Sequence, residues 1–255
     1  MIKSPQYLSI TLIAFLTAIL VSSCSDDKKN PVSNSDGGDE TAFTFPYNIA
    51  NSWSYRATIT EANPDDLSDV RSFEVDVEWT VTSLVVTPTV ETFSIESIST
   101  VTSGEYIDYE IVTNIFYAVE ADTLKTIFRE GDNPWGTILH KSASPAAQEE
   151  YQSWELTVLI TPFTLDQAWQ FSRSSSDLGI KRVISFNDVK TVAGTHKAYK
   201  VMRELPTYSA STWFSSVGVV KKTTEVWHES EKDSDGNPLT VFSMEMELVD
   251  YTVRR

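Results

Sequence analysis

The chain has 255 residues, with 20 Lys and Arg against 36 Asp and Glu, and a formal net charge of −16 at pH 7. A surface this acidic repels nucleic acids and anionic lipid headgroups, which argues against both as direct partners of the folded protein. Cys24 is the only cysteine, so the composition excludes a disulfide within the chain.

The first 23 residues have the three parts of a secretory signal peptide. Lys3 supplies a positive n-region, residues 8–21 supply an apolar h-region, and the small residues Ser22 and Ser23 end the segment. Polar residues interrupt the apolar run, which is short for a membrane span of about 20 residues. The alternative is an uncleaved anchor helix with an incidental cysteine.

The segment Val21-Ser22-Ser23-Cys24 resembles the lipobox of bacterial lipoproteins. This resemblance implies that a diacylglyceryl group is attached to Cys24, that the precursor is cleaved after Ser23, and that the new amino terminus is acylated, for example with palmitate. Several acyl chains hold a protein on a membrane more stably than one chain does. The sequence therefore predicts an outer-membrane lipoprotein whose contact with the membrane is made by acyl chains on Cys24.

Residues 24–41 are predicted to be the lipidated cysteine and a flexible acidic tether, because they are too polar to bury anything. Such a tether has a root-mean-square reach on the order of 20–25 Å. By analogy with the enterobacterial sorting rule, Ser25 argues against retention in the inner membrane. Asp26 and Asp27 resemble the short acidic export signal of Bacteroidetes-type lipoproteins, although they are equally compatible with a plain solvated tether. The cell surface and the periplasmic face therefore both stay open.

Residues 42–255 are predicted to form a β-rich domain. Residues 73–82 alternate apolar side chains with acidic side chains or Thr, the period-two pattern of a half-buried antiparallel strand. Similar segments occur at 92–102, 106–117, 124–129, 154–160, 180–186, 198–205, 217–228 and 239–253. Only residues 144–150 favour a helix, so the crossover helices of a parallel sheet are missing. We expect an all-β domain with antiparallel strands in a curved sheet or a sandwich.

One ten-residue pattern occurs twice in this domain. Residues 46–55 and 162–171 share the pattern Pro, aromatic, any, Ile or Leu, any, Asn or Gln, small, Trp, any, aromatic. The repetition favours two similar β units that start near residues 45 and 161, although so short a match can also arise by chance. Trp53 and Trp169 would then form a paired aromatic platform for a ligand, or would fill the core as large aromatic side chains usually do.

Four segments resemble uncharacterised outer-membrane lipoproteins of Bacteroidetes and related phyla. Residues 45–55 are similar to their P-x-x-x-G-N-x-W-x-Y opening, and residues 192–201, 216–221 and 247–251 to their later A-G-T-x-x-A-Y, G-V-G-x-V-K and E-L-x-x-Y segments. Two positions depart from the pattern, since Ala50 replaces a Gly and His196 replaces an aromatic residue. The resemblance implies an antiparallel β domain without an assigned activity, similar at fold level to the curved sheets of lipoprotein carriers.

No motif in the sequence specifies catalysis, a cofactor or a metal. His140, His196 and His228 lie far apart and lack the spacing of metal ligands. Asp108 and Glu110 are the carboxylates that a glycosidase would require, but their alternation with apolar residues is typical of the solvated face of a strand.

The turn at residues 233–238 resembles the start of a calcium loop. Met244 stands where such a loop requires Glu, so a hairpin turn is the better interpretation. The sequence therefore predicts no enzyme, no cofactor and no metal.

The function that the sequence favours is a non-catalytic, lipid-anchored envelope protein that binds a ligand or partner. The ligand would be a glycan, a small apolar molecule or another envelope protein, and Trp53, Trp169 and Trp213 are the candidate binding residues. A structural or assembly component of the outer membrane is the alternative, and a hydrolase is less favoured. A binding protein predicts aromatic side chains beside a cavity, an assembly component predicts an unpaired edge strand, and an enzyme predicts converging titratable groups.

Overall fold

A computed structural model of the chain describes residues 43, 45–63, 66–104, 107–131, 156–171, 179–232 and 235–254. No helix in this described part of the chain is long and apolar enough to cross a membrane. The predicted signal peptide, Cys24, the Asp26–Asp27 pair, the tether and the predicted helix at residues 144–150 all lie outside the described residues.

Twelve β-strands form one antiparallel sheet, and this confirms the all-β class expected from the sequence. The strands are β1 Ser52–Asn63, β2 Asp66–Val86, β3 Glu91–Val101, β4 Glu110–Glu120, β5 Thr123–Gly131, β6 Leu156–Ile160, β7 Ala168–Gln170, β8 Ile180–Thr191, β9 Gly194–Leu205, β10 Tyr208–Ser215, β11 Gly218–Lys232 and β12 Pro238–Thr252. Their order across the sheet is β6-β5-β4-β3-β2-β1-β12-β11-β10-β9-β8-β7. Of the two arrangements expected, the chain adopts the curved sheet, which is nearly closed into a barrel.

Alternation of side chains places the apolar face of each strand inside the curve. Along β1, Trp53, Tyr55 and Ile59 are each no more than 2% exposed, whereas Arg56, between them, is exposed. In the register of β1 with β2, Ile59 is opposite Phe73, which is also buried. Cross-strand pairs of this kind are the main source of sheet stability, because each buries apolar surface on both strands.

The two edges of the sheet, β6 and β7, meet at a seam that is held mostly by side chains. The main-chain hydrogen bond across it in the described structure runs from Thr157 N to Phe171 O, at 2.8 Å. Trp169 Nε1 donates to Thr157 O at 3.3 Å, and Lys181 Nζ donates to Val158 O at 2.8 Å. The seam has few main-chain bonds compared with the continuous ladders elsewhere in the sheet.

An aromatic segment just before β1 enters the space enclosed by the sheet. We call Phe43, Phe45 and Tyr47 the aromatic plug. Phe43 stacks on Phe163 with ring centroids 5.1 Å apart, and Tyr47 stacks on Phe93 at 4.8 Å. Phe43 and Phe45 are each 8% exposed, so the plug belongs to the core although it precedes the first strand.

The two copies of the ten-residue pattern form the same turn. Ala50 and Asp166, at matching positions, both have a left-handed backbone, with φ of 66° and 64°. Ala50 N donates to Val81 O at 3.0 Å, and Asp166 N donates to Val183 O at 2.9 Å. Each turn therefore joins its strand to the neighbouring strand by an equivalent bond.

Ala50 has a left-handed φ of 66°, a conformation that suits glycine better than alanine. A Cβ in this region approaches the following carbonyl, which glycine avoids. We expect Ala50→Gly to raise the free energy of unfolding by about 0.5–1 kcal/mol. This net gain is the strain that glycine relieves in the folded state, minus the cost of the extra conformational entropy that glycine has in the unfolded chain. Urea unfolding at pH 7 measures the change.

Ala62, within β1, provides the matched control for this substitution. Its backbone is not left-handed, so Ala62→Gly is expected to lower the free energy of unfolding by about 0.5–1 kcal/mol. A stability loss of the same size in Ala50→Gly would contradict the account of strain at Ala50.

Candidate functional site

A cavity of about 230 Å³ lies inside the curve of the sheet. Strands from opposite sides of the sheet contribute to its wall. Its apolar and aromatic lining consists of Phe45, Trp79, Tyr117, Leu124, Val158, Phe171, Val201, Met202, Tyr208, Ala210, Phe214 and Val219. Because Phe45 belongs to the aromatic plug, the plug forms part of the cavity wall.

Three cationic side chains line the same cavity: Lys181 on β8, Arg203 on β9 and Lys222 on β11. Lys181 is directly opposite Arg203 in the register of β8 with β9, and Arg203 is opposite Ala210 of β10. Lys222 is opposite Thr212, two residues farther along β10. Like charges directly opposite each other on adjacent strands destabilise a sheet, so the Lys181–Arg203 pair is an unfavourable feature of the fold.

Aromatic rings contact two of the cations. Lys181 Nζ lies 4.3 Å and Arg203 Cζ lies 4.5 Å from the centroid of the Phe171 ring, and Arg203 Cζ lies 4.4 Å from that of Tyr208. No carboxylate among the described residues forms an ion pair with Lys181 or Arg203. Arg203 Nε is buried without a hydrogen-bond partner among the described atoms. Ring faces attract cations, but they accept no strong hydrogen bond from them.

Burial lowers the pKa of Lys181 well below its ordinary value of 10.5, and the positive charges of Arg203 and Lys222 lower it further. Lys181 is half-buried, and part of its surface faces the cavity. Desolvation disfavours the charged form of any buried amine, and a nearby cation adds to this effect. The site is therefore strongly electropositive, inside a protein whose net charge is strongly negative.

The far end of the cavity lacks charge among the described residues. Phe214 on β10 is opposite Val219 on β11, and both line the cavity with Phe45 of the aromatic plug. Phe214 lies four positions beyond Ala210 on β10, which corresponds to about 14 Å of strand. Lys181 and Arg203 are at the Ala210 end, and Lys222, opposite Thr212, lies between the two ends. The cavity is thus amphipathic, with cations toward one end and aromatic and aliphatic side chains toward the other.

Two of the three tryptophans predicted as ligand candidates lie in the hydrophobic core. Trp53 is 1% and Trp169 is 7% exposed, and neither ring lines the cavity. Trp53 Nε1 donates to Val217 O, and the close approach requires Gly218, where a Cβ would lie 2.9 Å from Trp53 Nε1. These positions agree with the core-packing alternative for both rings.

Trp213 lies on the face of the sheet opposite the cavity. Its neighbours on β10, Thr212 and Phe214, line the cavity, so Trp213 points outward and is partly buried. Lys200 Nζ lies 4.9 Å and Lys221 Nζ lies 5.9 Å from its ring centroid. The structure therefore does not bring the three tryptophans together.

Other residues considered in the sequence lie away from the cavity. Asp108 and Glu110 are exposed at the start of β4. His196 is half-buried, which lowers its pKa, and its ring packs edge-on against Tyr251 with centroids 5.9 Å apart. The described residues contain no group of three or more His, Cys, Asp or Glu that could hold a metal ion.

The three cavity cations were not predicted from the sequence. Lys181 lies two residues before the buried Val183 on β8, so it faces the same side of the sheet. Arg203 lies two residues after the buried Val201 on β9 and also faces inward. Both cations therefore interrupt a row of apolar, inward-facing side chains. A charged residue in the apolar phase of an alternating strand is the signal that would have found them. Lys222 is harder to assign, because the β10–β11 register shifts between Trp213 and Phe214.

Three of the solved structures that match this chain are the following. A Bacteroides fragilis protein of YmcC-like fold, inferred to be exported, has 9% identity and a TM-score of 0.47, covering 83% of this chain and 99% of its own. A Parabacteroides distasonis protein inferred to be a lipoprotein has 13% identity and a TM-score of 0.45, covering 84% and 100%. A LolA superfamily protein from Nitrosomonas europaea has 10% identity and a TM-score of 0.21, covering 82% and 89%.

No protein-family model and no curated protein matches the chain. At identities of 9–13%, the solved structures transfer no residue roles to this chain.

The lowered pKa of Lys181 predicts how stability depends on pH. In the unfolded chain this amine keeps its proton up to about pH 10.4, whereas the folded state releases it at lower pH. The unfolded state then binds more protons, so the free energy of unfolding rises with pH below 10.4. We expect Lys181→Met to remove this rise, as measured by urea unfolding between pH 7 and pH 10.

Lys200→Met is the control for that measurement, because Lys200 lies over the outward-facing Trp213 ring on the opposite face of the sheet. Its pH dependence should match that of the unsubstituted protein. An equal rise in Lys181→Met would show that the alkaline stabilisation does not come from Lys181.

Proposed function

We propose that this protein is a lipid-anchored, non-catalytic protein of the bacterial outer membrane whose β domain binds an apolar ligand inside the curved sheet. The observation that carries the proposal is the cavity of about 230 Å³ lined mostly by apolar and aromatic side chains. Concave, mainly apolar cavities with a few convergent polar groups are typical of small-molecule sites.

The size of the cavity limits the ligand. Sites for drug-sized molecules usually measure about 300–1,000 Å³, and this cavity is smaller. It would accommodate one short or medium acyl chain rather than a multi-chain lipid. Of the ligands that the sequence favoured, a small apolar molecule fits this space better than a glycan, because a glycan requires more hydrogen-bonding groups than the lining offers.

The proposed anchor comes from the sequence alone. The resemblance of residues 21–24 to a lipobox supports acylation of Cys24, and the similar opening and later segments support membership of the Bacteroidetes-type lipoproteins. The tether would separate the domain from the lipid surface without fixing its orientation. The membrane face that carries the domain then depends on Asp26 and Asp27.

Filling the cavity tests ligand binding directly. Ala210 lines the cavity from β10, so Ala210→Phe is expected to reduce binding of the neutral fluorescent probe N-phenyl-1-naphthylamine at least tenfold, because the added ring occupies the apolar space. Fluorescence titration of the purified domain gives the affinity. Ser209→Phe adds the same ring to the opposite face of the same strand and should bind the probe normally. Equal affinity in both variants would contradict binding in this cavity.

Fractionation of cells that express the full chain tests the anchor. Cys24→Ser is expected to move the protein from the membrane fraction to the soluble fraction, because no acyl chain can be attached. The double substitution of Asp26 and Asp27 to Ala keeps the cysteine and should stay with the membrane. Protease treatment of intact cells then shows whether that variant loses surface exposure. Membrane retention of Cys24→Ser would contradict the proposed anchor.

A further inference from the structure

We propose that the ligand is a single-chain amphiphile with an anionic headgroup, held by Lys181, Arg203 and Lys222, and with its chain at the apolar end of the cavity. The inference rests on the proposed function, because it names the chemical class of the ligand for the same cavity. A carboxylate and a phosphate group share the chemistry required.

The arrangement of the cations provides the first argument. Lys181 and Arg203 are directly opposite each other on adjacent strands, and Lys222 lies on β11, across β10 from Arg203. An anion between them would accept hydrogen bonds from all three and offset their mutual repulsion. Arg203 Nε, which is buried without a partner among the described atoms, would gain an acceptor.

Another buried cation of this protein, Lys125, is paired with a carboxylate and provides a comparison. The Lys125 side chain is 5% exposed, and its Nζ lies 2.6 Å from the Glu120 carboxylate. No described carboxylate forms such an ion pair with Lys181 or Arg203. Buried charges are ordinarily paired, so a cationic pair that faces a cavity indicates a site completed by an external anion.

The opposite end of the cavity provides the second argument. Phe214 lies about 14 Å along β10 from Ala210 and about 7 Å from Thr212, which is opposite Lys222. Val219, opposite Phe214, and Phe45 of the aromatic plug line the cavity with it. A free inorganic anion would leave this apolar space unfilled, and a neutral hydrocarbon would leave Lys181 and Arg203 without an anionic partner among the described residues. A molecule that has both an anionic headgroup and a hydrocarbon chain complements both ends of the cavity.

The acidic outer surface does not prevent such binding. Exposed carboxylates are screened over about 8 Å at physiological ionic strength, whereas charges inside the cavity act through a medium of lower dielectric constant. Glu74, Asp76 and Glu78 of β2, for example, point away from the cavity, between the inward-facing residues of that strand.

Competition against N-phenyl-1-naphthylamine tests the inference with probes of equal chain length. Octanoate and octyl phosphate are expected to displace the dye at concentrations at least tenfold lower than 1-octanol does. Acetate and inorganic phosphate should not displace it, because they lack a chain. A preference between octanoate and octyl phosphate identifies the headgroup, and a preference for either over 1-octanol supports the inference.

Two substitutions test which residues cause the preference for an anionic headgroup. Lys222→Met and Arg203→Met are each expected to reduce the affinity for octanoate at least tenfold relative to 1-octanol, while dye binding persists. Lys221→Met and Lys200→Met are the matched controls, because these lysines flank Trp213 on the opposite face of β11 and β9. Retained dye binding shows that each variant is folded.

The two proposals fail in distinguishable ways. If 1-octanol displaces the dye as well as octanoate does, the anionic headgroup is wrong and the apolar site stands. If the unsubstituted protein binds neither the dye nor any eight-carbon probe, the proposed function fails and the inference fails with it. An anionic preference that persists in Lys222→Met and Arg203→Met would also overturn the inference.

Discussion

A nearly closed sheet of twelve strands encloses more space than the side chains of its own strands can fill, and this constraint shapes the interior of the protein. Side chains just fill the interior of an eight-stranded barrel, and wider barrels enclose ligands or channels. Here the aromatic plug enters from the chain before β1 and packs on Trp53 of β1, Phe93 of β3 and Phe214 of β10. The part of the interior that the plug does not fill is the cavity. The need to fill the interior of a wide sheet therefore accounts for both the aromatic core and the site.

The two turns of matching geometry place different side chains at equivalent positions of the sheet. Trp53 of β1 is opposite Trp79, and Trp169 of β7 is opposite Lys181. Trp79 and Lys181 both line the cavity. One half of the sheet thus contributes a ring to the cavity where the other half contributes a cation. Lys181 also donates to Val158 O across the seam, so the same ammonium group links the site to the sheet edges.

Period-two alternation predicted most of the strands, because each of these has one buried face, but β10 was not among the predicted segments. The ten-residue pattern likewise predicted two similar bends, whose left-handed residues are Ala50 and Asp166. The same patterns did not predict the site. Trp53 and Trp169 were selected as ligand candidates because their side chains are large and aromatic, but both are buried in the core. The curvature that brings Lys181, Arg203 and Lys222 together arises from long-range strand pairing and from β-bulges, which local patterns do not encode.

The central claim is that the amphipathic cavity holds an anionic single-chain molecule with its headgroup at the cations. The most direct measurement is a crystal structure of the domain grown with octanoate that carries bromine on its terminal carbon. The account predicts one anomalous bromine peak near Phe45, Phe214 and Val219, with the carboxylate in contact with Lys181 and Arg203. A reversed molecule, with bromine beside the cations, would contradict the account, and so would an unoccupied cavity at saturating ligand.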